Sequence, residues 1–221
     1  MIIQLSVCFI SVLFGLRAIR HKPYFKLELL YILPFCMIDL LTSSIAVYGL
    51  TTNNYTNNLY YWGIVFTIAE YFLLPAYIAK VIDKGYKIFF PLIVFLLATI
   101  LSKASANSFS LLPEAISGIY ISYWGFKYLN RLLSSEKTTR ITHHPNFWII
   151  LGMMSCYTTT IPLSIFSFVT DGLMGEELKK VANQILLIFL FANTIMHLFF
   201  IKAFLCTPGD ETIEVNIQYL R

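Results

Sequence analysis

Charged residues are scarce in this chain. Asp, Glu, Lys and Arg make up 13% of its 221 residues, and hydrophobic residues make up 57%. A soluble domain carries about 25% charged residues, so the composition excludes an ordinary soluble protein. The net charge of +4 is weak, and no nucleic-acid partner is expected. The composition predicts an all-α polytopic membrane protein whose main surroundings are the lipid bilayer.

The sequence also lacks the common motifs of catalysis and metal binding. It contains no Gly-rich phosphate loop and no HExxH, and the few acidic residues inside its apolar segments are not paired at helical spacing. No CxxC or Cys/His ligand spacing occurs, so we expect buried thiols without a disulfide framework. The four cysteines are Cys8, Cys36, Cys156 and Cys206. These absences predict a protein that is not an enzyme, with no catalytic residues, no metal site and no cofactor.

The adjacent histidines His143 and His144, just before Pro145, are the one remaining metal candidate in the sequence. Histidine ligands usually need i,i+4 spacing or a converging loop, whereas adjacent histidines point apart on a helix. A solvated loop at the inner membrane surface is therefore the favoured interpretation.

Seven apolar segments are long enough to cross a bilayer. They are residues 2–19, 27–50, 59–81, 87–103, 111–131, 147–169 and 181–205. Residues 1–205 are thus predicted to form a seven-helix transmembrane bundle, followed by a cytoplasmic tail, 206–221. With the N-terminus outside, only Lys103, Lys179 and Lys180 of the 16 Lys and Arg residues lie at outer ends, and the other 13 lie at inner ones. This asymmetry predicts an N-out/C-in orientation.

Four polar side chains fall deep within the apolar segments: Asp39, Glu70, Asn193 and His197. A carboxylate at the bilayer centre costs about 2.5–3.5 kcal/mol on insertion scales, so it should face the bundle interior and find a partner. Asn193 and His197 share one helix face, because their spacing is i,i+4. Either of them is a candidate partner for Glu70.

Asp39 has possible partners nearby in the sequence. Thr42, Ser43 and Ser44 follow it within five residues and form a polar face that could bond locally. This favours a structural role for Asp39. For Glu70, a structural role and a ligand or proton site are equally open.

Three prolines lie within the predicted helices: Pro34, Pro75 and Pro162. Each removes a backbone hydrogen bond and tends to kink its helix, which frees a carbonyl that must be satisfied inside the bundle. Kinked helices around buried polar groups predict a small cavity or a hinge at these positions.

The tail has the alternating pattern of a β-strand. Ile213, Val215, Ile217 and Tyr219 alternate with polar residues after the turn signal Pro208-Gly209-Asp210. A single strand cannot pair the backbone N–H and C=O groups along its own edges. The segment is therefore either a disordered tail or a strand that adds to a partner's sheet or folds back on the inner loop. The four apolar residues are the candidate partner-binding residues.

Two stretches carry a family resemblance: "HPNFWIILGMMSCY" (144–157) and "AEYFLLPAYI" (69–78). With seven N-out spans, the chain resembles small seven-helix membrane proteins of Bacteroidetes-type bacteria, which are similar to the sensory modules ahead of some bacterial histidine kinases. The resemblance implies a sensor-like protein of the bacterial inner membrane. It also implies that Glu70, Phe147 and Trp148 match recurring positions. The chain ends at Arg221 without a kinase domain, so another protein is expected to carry the output.

The sequence as a whole predicts a non-enzymatic receptor-like or scaffolding subunit. It would act in signal transduction or assembly through a cytoplasmic or membrane partner, or as a homo-oligomer. A small transporter or channel subunit is the alternative, with Asp39, Glu70 and His197 as a proton or ion relay. A membrane-embedded lipid enzyme is the third possibility.

Overall fold

The computed structural model describes residues 2–21, 28–51, 58–82, 112–134, 141–170 and 176–206, and its regular elements there are all helical. The six α-helices are α1 (Ile2–His21), α2 (Leu33–Thr51), α3 (Asn58–Ile82), α4 (Leu112–Leu133), α5 (Pro145–Thr170) and α6 (Glu176–Leu205). A π-helix, Glu28–Ile32, leads into α2, and a 3₁₀-helix, Ile141–His143, precedes α5. The predicted all-α fold is confirmed for this part of the chain.

Six of the seven predicted apolar segments coincide with these helices to within a few residues. The largest difference is at α6, which begins at Glu176 and so extends five residues before the predicted start. The fourth segment, 87–103, lies outside the described residues. The tail after Cys206 does so too, and with it Ile213, Val215, Ile217 and Tyr219.

Within the described ranges, three helical stretches are long and apolar enough to cross a membrane: Ile2–His21, Pro145–Ile165 and Leu187–Leu205. A shorter apolar stretch covers Leu29–Ile45. The outer surface of the helices is apolar as well. Ile3, Phe126 and Phe191 are all more than half exposed. Large apolar side chains on the surface are expected where lipid surrounds a protein, so both features indicate membrane association.

The described helices pack in a ring in chain order. Each packs on the next from α1 to α6, and α6 returns to pack against α1. The largest buried side chains of the interior are aromatic: Phe35, Tyr77, Tyr157, Phe200 and Phe204. This order brings the first and last helices of the chain into contact.

Glycine permits the close approach of α5 and α6. A Cβ atom at Gly152 would lie 2.8 Å from Phe199 Cβ and 3.1 Å from the backbone oxygen of Met196. Neither neighbour can move without moving α6 itself. Small residues at such contacts are typical of helix packing in membranes.

The three prolines occupy different environments. Pro34 is the second residue of α2, but the π-helix Glu28–Ile32 runs directly into α2, so Pro34 lies within a continuous helical segment, as predicted. The π-helical turn just before it is a local irregularity of that helix. Pro75 lies inside α3 and is buried, whereas Pro162 lies inside α5 and is exposed. A hinge role for the three residues stays a prediction.

Candidate functional site

Five polar side chains from α1, α2 and α6 meet inside the bundle and form what we call the Asp39 cluster: Cys8, Ser11, Asp39, Asn193 and His197. Cys8, Ser11 and His197 are fully buried, and Asp39 is 3% exposed. The cluster lies in the apolar parts of its three helices. Polar groups removed from water in this way must satisfy one another.

One carboxylate oxygen of Asp39 is the centre of the cluster. Oδ2 lies 2.6 Å from Nε2 of His197. It also accepts hydrogen bonds from Nδ2 of Asn193 at 2.9 Å and from the Cys8 thiol at 3.5 Å. The second oxygen, Oδ1, accepts from the Ser43 hydroxyl at 3.4 Å. So many donors around one side chain are what an ionised carboxylate requires, because it can only accept.

Ser11 determines which nitrogen of His197 carries a proton. The Ser11 hydroxyl donates to the backbone oxygen of Cys8 at 2.7 Å, and its oxygen lies 2.9 Å from Nδ1 of His197. A hydroxyl has one proton, so in this arrangement Nδ1–H donates to Ser11. The other nitrogen, Nε2, faces the carboxylate at 2.6 Å. A positive charge must therefore lie between Nε2 and Oδ2, either as a proton or as a cation.

Aromatic rings enclose the histidine. Phe35 stacks on His197 with ring centroids 6.4 Å apart, and Phe200 meets it edge-on at 5.6 Å. These rings replace water with apolar surroundings of low dielectric constant, which strengthens every electrostatic interaction inside the cluster.

A second set of polar contacts joins α3 to α5. The Tyr157 hydroxyl donates to Oε1 of Glu70, and the Tyr77 hydroxyl donates to Oδ1 of Asn146 at 2.7 Å. Glu70 is only 4% exposed, which confirms the expectation that it faces the bundle interior. Because α4 lies between α3 and α5 in the ring, these hydrogen bonds connect helices that are not direct neighbours.

The predicted partners of Glu70 are wrong. Asn193 and His197 share a face of α6 as expected, but both contact Asp39. The ring order explains the difference, since α6 packs on α1 and brings its polar face toward α1 and α2. Tyr157, which the sequence did not single out, contacts Glu70 instead.

The local bonding predicted for Asp39 is correct only for Ser43. Thr42 and Ser44 donate to the backbone oxygens of Asp39 and Leu40, and do not reach the carboxylate. Hydroxyls in a helix often bond back to the preceding turn in this way. The main partners of the Asp39 side chain are on α1 and α6.

Cys8 and Ser11 are the members of the cluster that sequence reasoning missed. Their i,i+3 spacing on one face of the first apolar segment was a signal, because that face of α1 is the buried one. The same reasoning missed a possible ligand set. Cys8, Asp39 and His197 each offer a donor atom, and the three atoms lie within 4.8 Å of one another. The expected buried cysteines without a disulfide are confirmed for all four positions.

His144 is only partly solvated, so the expectation of a solvated loop holds for His143 but not fully for His144. It is half-buried, and burial lowers the pKa of its imidazole. Its Nδ1 atom has no hydrogen-bond partner among the described residues. His143, by contrast, is exposed. Nearby, the Trp148 indole donates to the backbone oxygen of Thr142 at 2.7 Å, which fixes the start of α5.

A comparison of the chain with protein-family models, with curated proteins and with solved structures finds no match. The site is therefore interpreted from its own geometry.

Proposed function

We propose that this protein is a receptor-like or scaffolding subunit of a bacterial inner membrane, with seven spans oriented N-out/C-in, that signals or assembles through a partner protein. One observation carries the proposal. Both buried polar sets join helices that are not neighbours in the ring, α2 to α6 and α3 to α5. A change in either set would alter the relative positions of helices that do not pack on each other directly, as a signalling bundle requires.

The surroundings of the polar sets support this function over ion or proton transport. Phe35 contacts the His197 ring on one side and the Phe66 ring, at 5.7 Å, on another. Phe66 lies one helical turn before Glu70 on α3. Apolar rings thus border the histidine on the side toward α3, whereas a proton relay needs a succession of hydrogen-bonding groups.

The partner is proposed to bind at the cytoplasmic side. The alternating residues Ile213, Val215, Ile217 and Tyr219 suit addition of a strand to the edge of a partner's sheet. Main-chain hydrogen bonds would supply affinity in that mode, and alternate side chains would supply specificity.

The test is purification of the full chain in mild detergent, followed by native mass spectrometry of the associated proteins. Deletion of residues 210–221, or the double change Val215→Asp with Ile217→Asp, should remove a partner that the wild type retains. The Tyr157→Phe variant should keep the partner but change the cross-linking pattern between α3 and α5.

Flux measurements distinguish a transporter or channel subunit from the proposed receptor-like subunit. In proteoliposomes, ion or proton flux that is lost in Glu70→Gln would establish a transporter and contradict the proposal. An unchanged set of associated proteins and an unchanged oligomer size after tail deletion would contradict it as well. The orientation is checked separately, by labelling a cysteine added at the C-terminus, which should be accessible only from the cytoplasm.

A further inference from the structure

We infer that Cys8, Asp39 and His197 form a binding site for one divalent transition-metal ion of borderline softness, for which Zn²⁺ is the best match. The inference concerns ligand chemistry alone and does not depend on the proposed signalling function. It is carried by the distances between the donor atoms, by the orientation of the histidine and by the balance of charge.

The three donor atoms lie within 4.8 Å of one another, and one of their distances already matches tetrahedral spacing. Zn²⁺ binds sulfur at about 2.3 Å and nitrogen or oxygen at about 2.0–2.2 Å, so ligands in a tetrahedral site lie roughly 3.3–3.6 Å apart. The Cys8 Sγ to Asp39 Oδ2 distance is already 3.5 Å. The Asp39 Oδ2 to His197 Nε2 distance is 2.6 Å and has to open by roughly 0.7 Å to admit the ion.

The histidine is oriented as a metal ligand. A ligating histidine usually donates its other ring N–H to a fixed acceptor, which sets the tautomer and the direction of the ring. Ser11 is that acceptor, because its own proton is committed to the backbone oxygen of Cys8. The lone pair of Nε2 therefore points toward Asp39 and Cys8. Ser11 links the same two helices that supply the thiol and the imidazole.

Two residues besides the three ligands, Asn193 and Ser43, donate hydrogen bonds to the Asp39 carboxylate and fix its orientation. Asn193 also offers a fourth ligand. Its Oδ1 atom is buried and has no hydrogen-bond partner within the described part of the structure. Rotation of the amide about its terminal bond would place Oδ1 where Nδ2 now lies, 2.9 Å from Asp39 Oδ2. In that rotamer the amide no longer donates to Asp39, and its Oδ1 faces the carboxylate oxygen, so a cation between the two oxygens would stabilise the arrangement.

Charge balance allows the ion to be buried. With a neutral thiol, an ionised Asp39 and a protonated His197, the three side chains sum to zero. With a thiolate, a carboxylate and a neutral imidazole, they sum to −2, and one divalent cation returns the site to zero. Two protons are thus replaced by one metal ion without leaving a net charge in the apolar interior, where an uncompensated charge is costly.

The mixed ligand set selects the class of metal. Mg²⁺ and Ca²⁺ prefer sites made of oxygen atoms alone, and a thiolate with an imidazole disfavours them. Sulfur, nitrogen and oxygen together suit Zn²⁺ and its neighbours Co²⁺, Ni²⁺ and Cu²⁺. Three protein ligands, with a fourth position that Asn193 Oδ1 or an exchangeable ligand could fill, also match the arrangement of zinc sites that exchange a ligand.

The experiment uses the full chain in detergent, stripped of metal with a chelator and titrated with Zn²⁺ and with Co²⁺. Stoichiometry is measured by elemental analysis, and Co²⁺ reports thiolate ligation through its sulfur-to-metal charge-transfer absorption. We expect one ion per chain and a charge-transfer band that is lost in Cys8→Ser. The matched control is Cys156→Ser, which changes a buried cysteine on α5 outside the cluster and should keep the band.

Two further variants separate ligation from folding. Ser11→Ala removes no ligand but frees the ring of His197, so it should weaken binding about tenfold to a hundredfold with the band retained. His197→Gln should reduce binding more strongly. A wild-type chain that takes up no stoichiometric Zn²⁺ or Co²⁺, or a Cys8→Ser chain that keeps the wild-type band and affinity, would overturn the inference and leave the cluster holding a proton only.

Discussion

Nε2 of His197 lies 2.6 Å from Oδ2 of Asp39, although the two residues are 158 positions apart in the chain. This contact holds the last described helix to the second, and it is buried on both sides. A buried pair of this kind is a weak source of net stability, but the loss of one member is costly because the other is left without a partner.

The Asp39→Leu variant should therefore be strongly destabilised. It leaves His197 and the Asn193 amide without their acceptor, and we expect a loss of about 3–5 kcal/mol in the free energy of unfolding. The double variant Asp39→Leu with His197→Leu should be closer to the wild type than either single variant. Unfolding in mixed detergent, followed by circular dichroism, measures the complete double-mutant cycle. Additive single effects would show that the two side chains do not interact.

Glu70 offers a graded test of the second polar set. Glu70→Gln retains an oxygen that can accept from Tyr157 and should unfold near the wild-type temperature. Glu70→Leu removes an acceptor of the buried Tyr157 hydroxyl and should cost about 1–3 kcal/mol. The Tyr157→Phe change should remove most of the difference between the Gln and Leu variants. If Glu70→Leu is as stable as Glu70→Gln, the hydrogen bond contributes nothing to stability.

Two glycines differ in what an added methyl group would meet. At Gly152 it would meet the Phe199 Cβ atom and a backbone oxygen of α6, whereas at Gly125 it would meet the flexible side chain of Met154. Gly152→Ala should thus separate α5 from α6 at a cost of about 1–3 kcal/mol. Gly125→Ala should cost clearly less, since Met154 can change rotamer. Thermal unfolding of the two variants under the same conditions measures this difference. Equal losses of stability would contradict the packing described for α5 and α6.

His144 should make the stability of the bundle depend on pH. Burial lowers the pKa of its imidazole in the folded state, so the unfolded chain binds a proton more readily. Stability from this group is complete above the unfolded pKa, near 6.5, and it is lost as the pH falls toward the folded value. Unfolding temperatures should fall between pH 7.5 and pH 5.

The variant His144→Gln should show a smaller fall over this range than the wild type. The exposed neighbour His143 supplies the matched control. In His143→Gln the unfolding temperature should depend on pH as it does in the wild type. If the unfolding temperature changes with pH identically in all three proteins, His144 does not contribute to the pH dependence.

The helices and the burial of their polar residues could be predicted from the sequence. Apolar length predicts helices, and the cost of an exposed carboxylate in lipid forces Asp39 and Glu70 inward whatever the packing. Both arguments use only the residue and its immediate neighbours, so no knowledge of the helix arrangement was needed.

The pairing of those residues could not be predicted. Glu70 and Asp39 are both acidic, both buried and both able to accept from His197, and nothing local distinguishes them. The order of the helices in the ring determines which carboxylate pairs with His197, because α6 packs on α1, which also contacts α2, whereas α3 lies further round the ring from α1. The ligand set was missed for the same reason, since Cys8, Asp39 and His197 have no fixed spacing in the sequence.

The contact between the first and last helices has a consequence for biosynthesis. Asp39 is made 158 residues before His197, its closest partner. At about 5–20 residues per second, roughly 10–30 s of translation separate the two. During that interval Cys8, Ser11 and Asp39 are already in the first two helices. Of the partners described for Asp39, the nascent chain then offers the Cys8 thiol and the Ser43 hydroxyl but not yet Asn193 or His197. The bundle is therefore completed by the arrival of α6, and a chain truncated before Asn193 should be a substrate for membrane quality control.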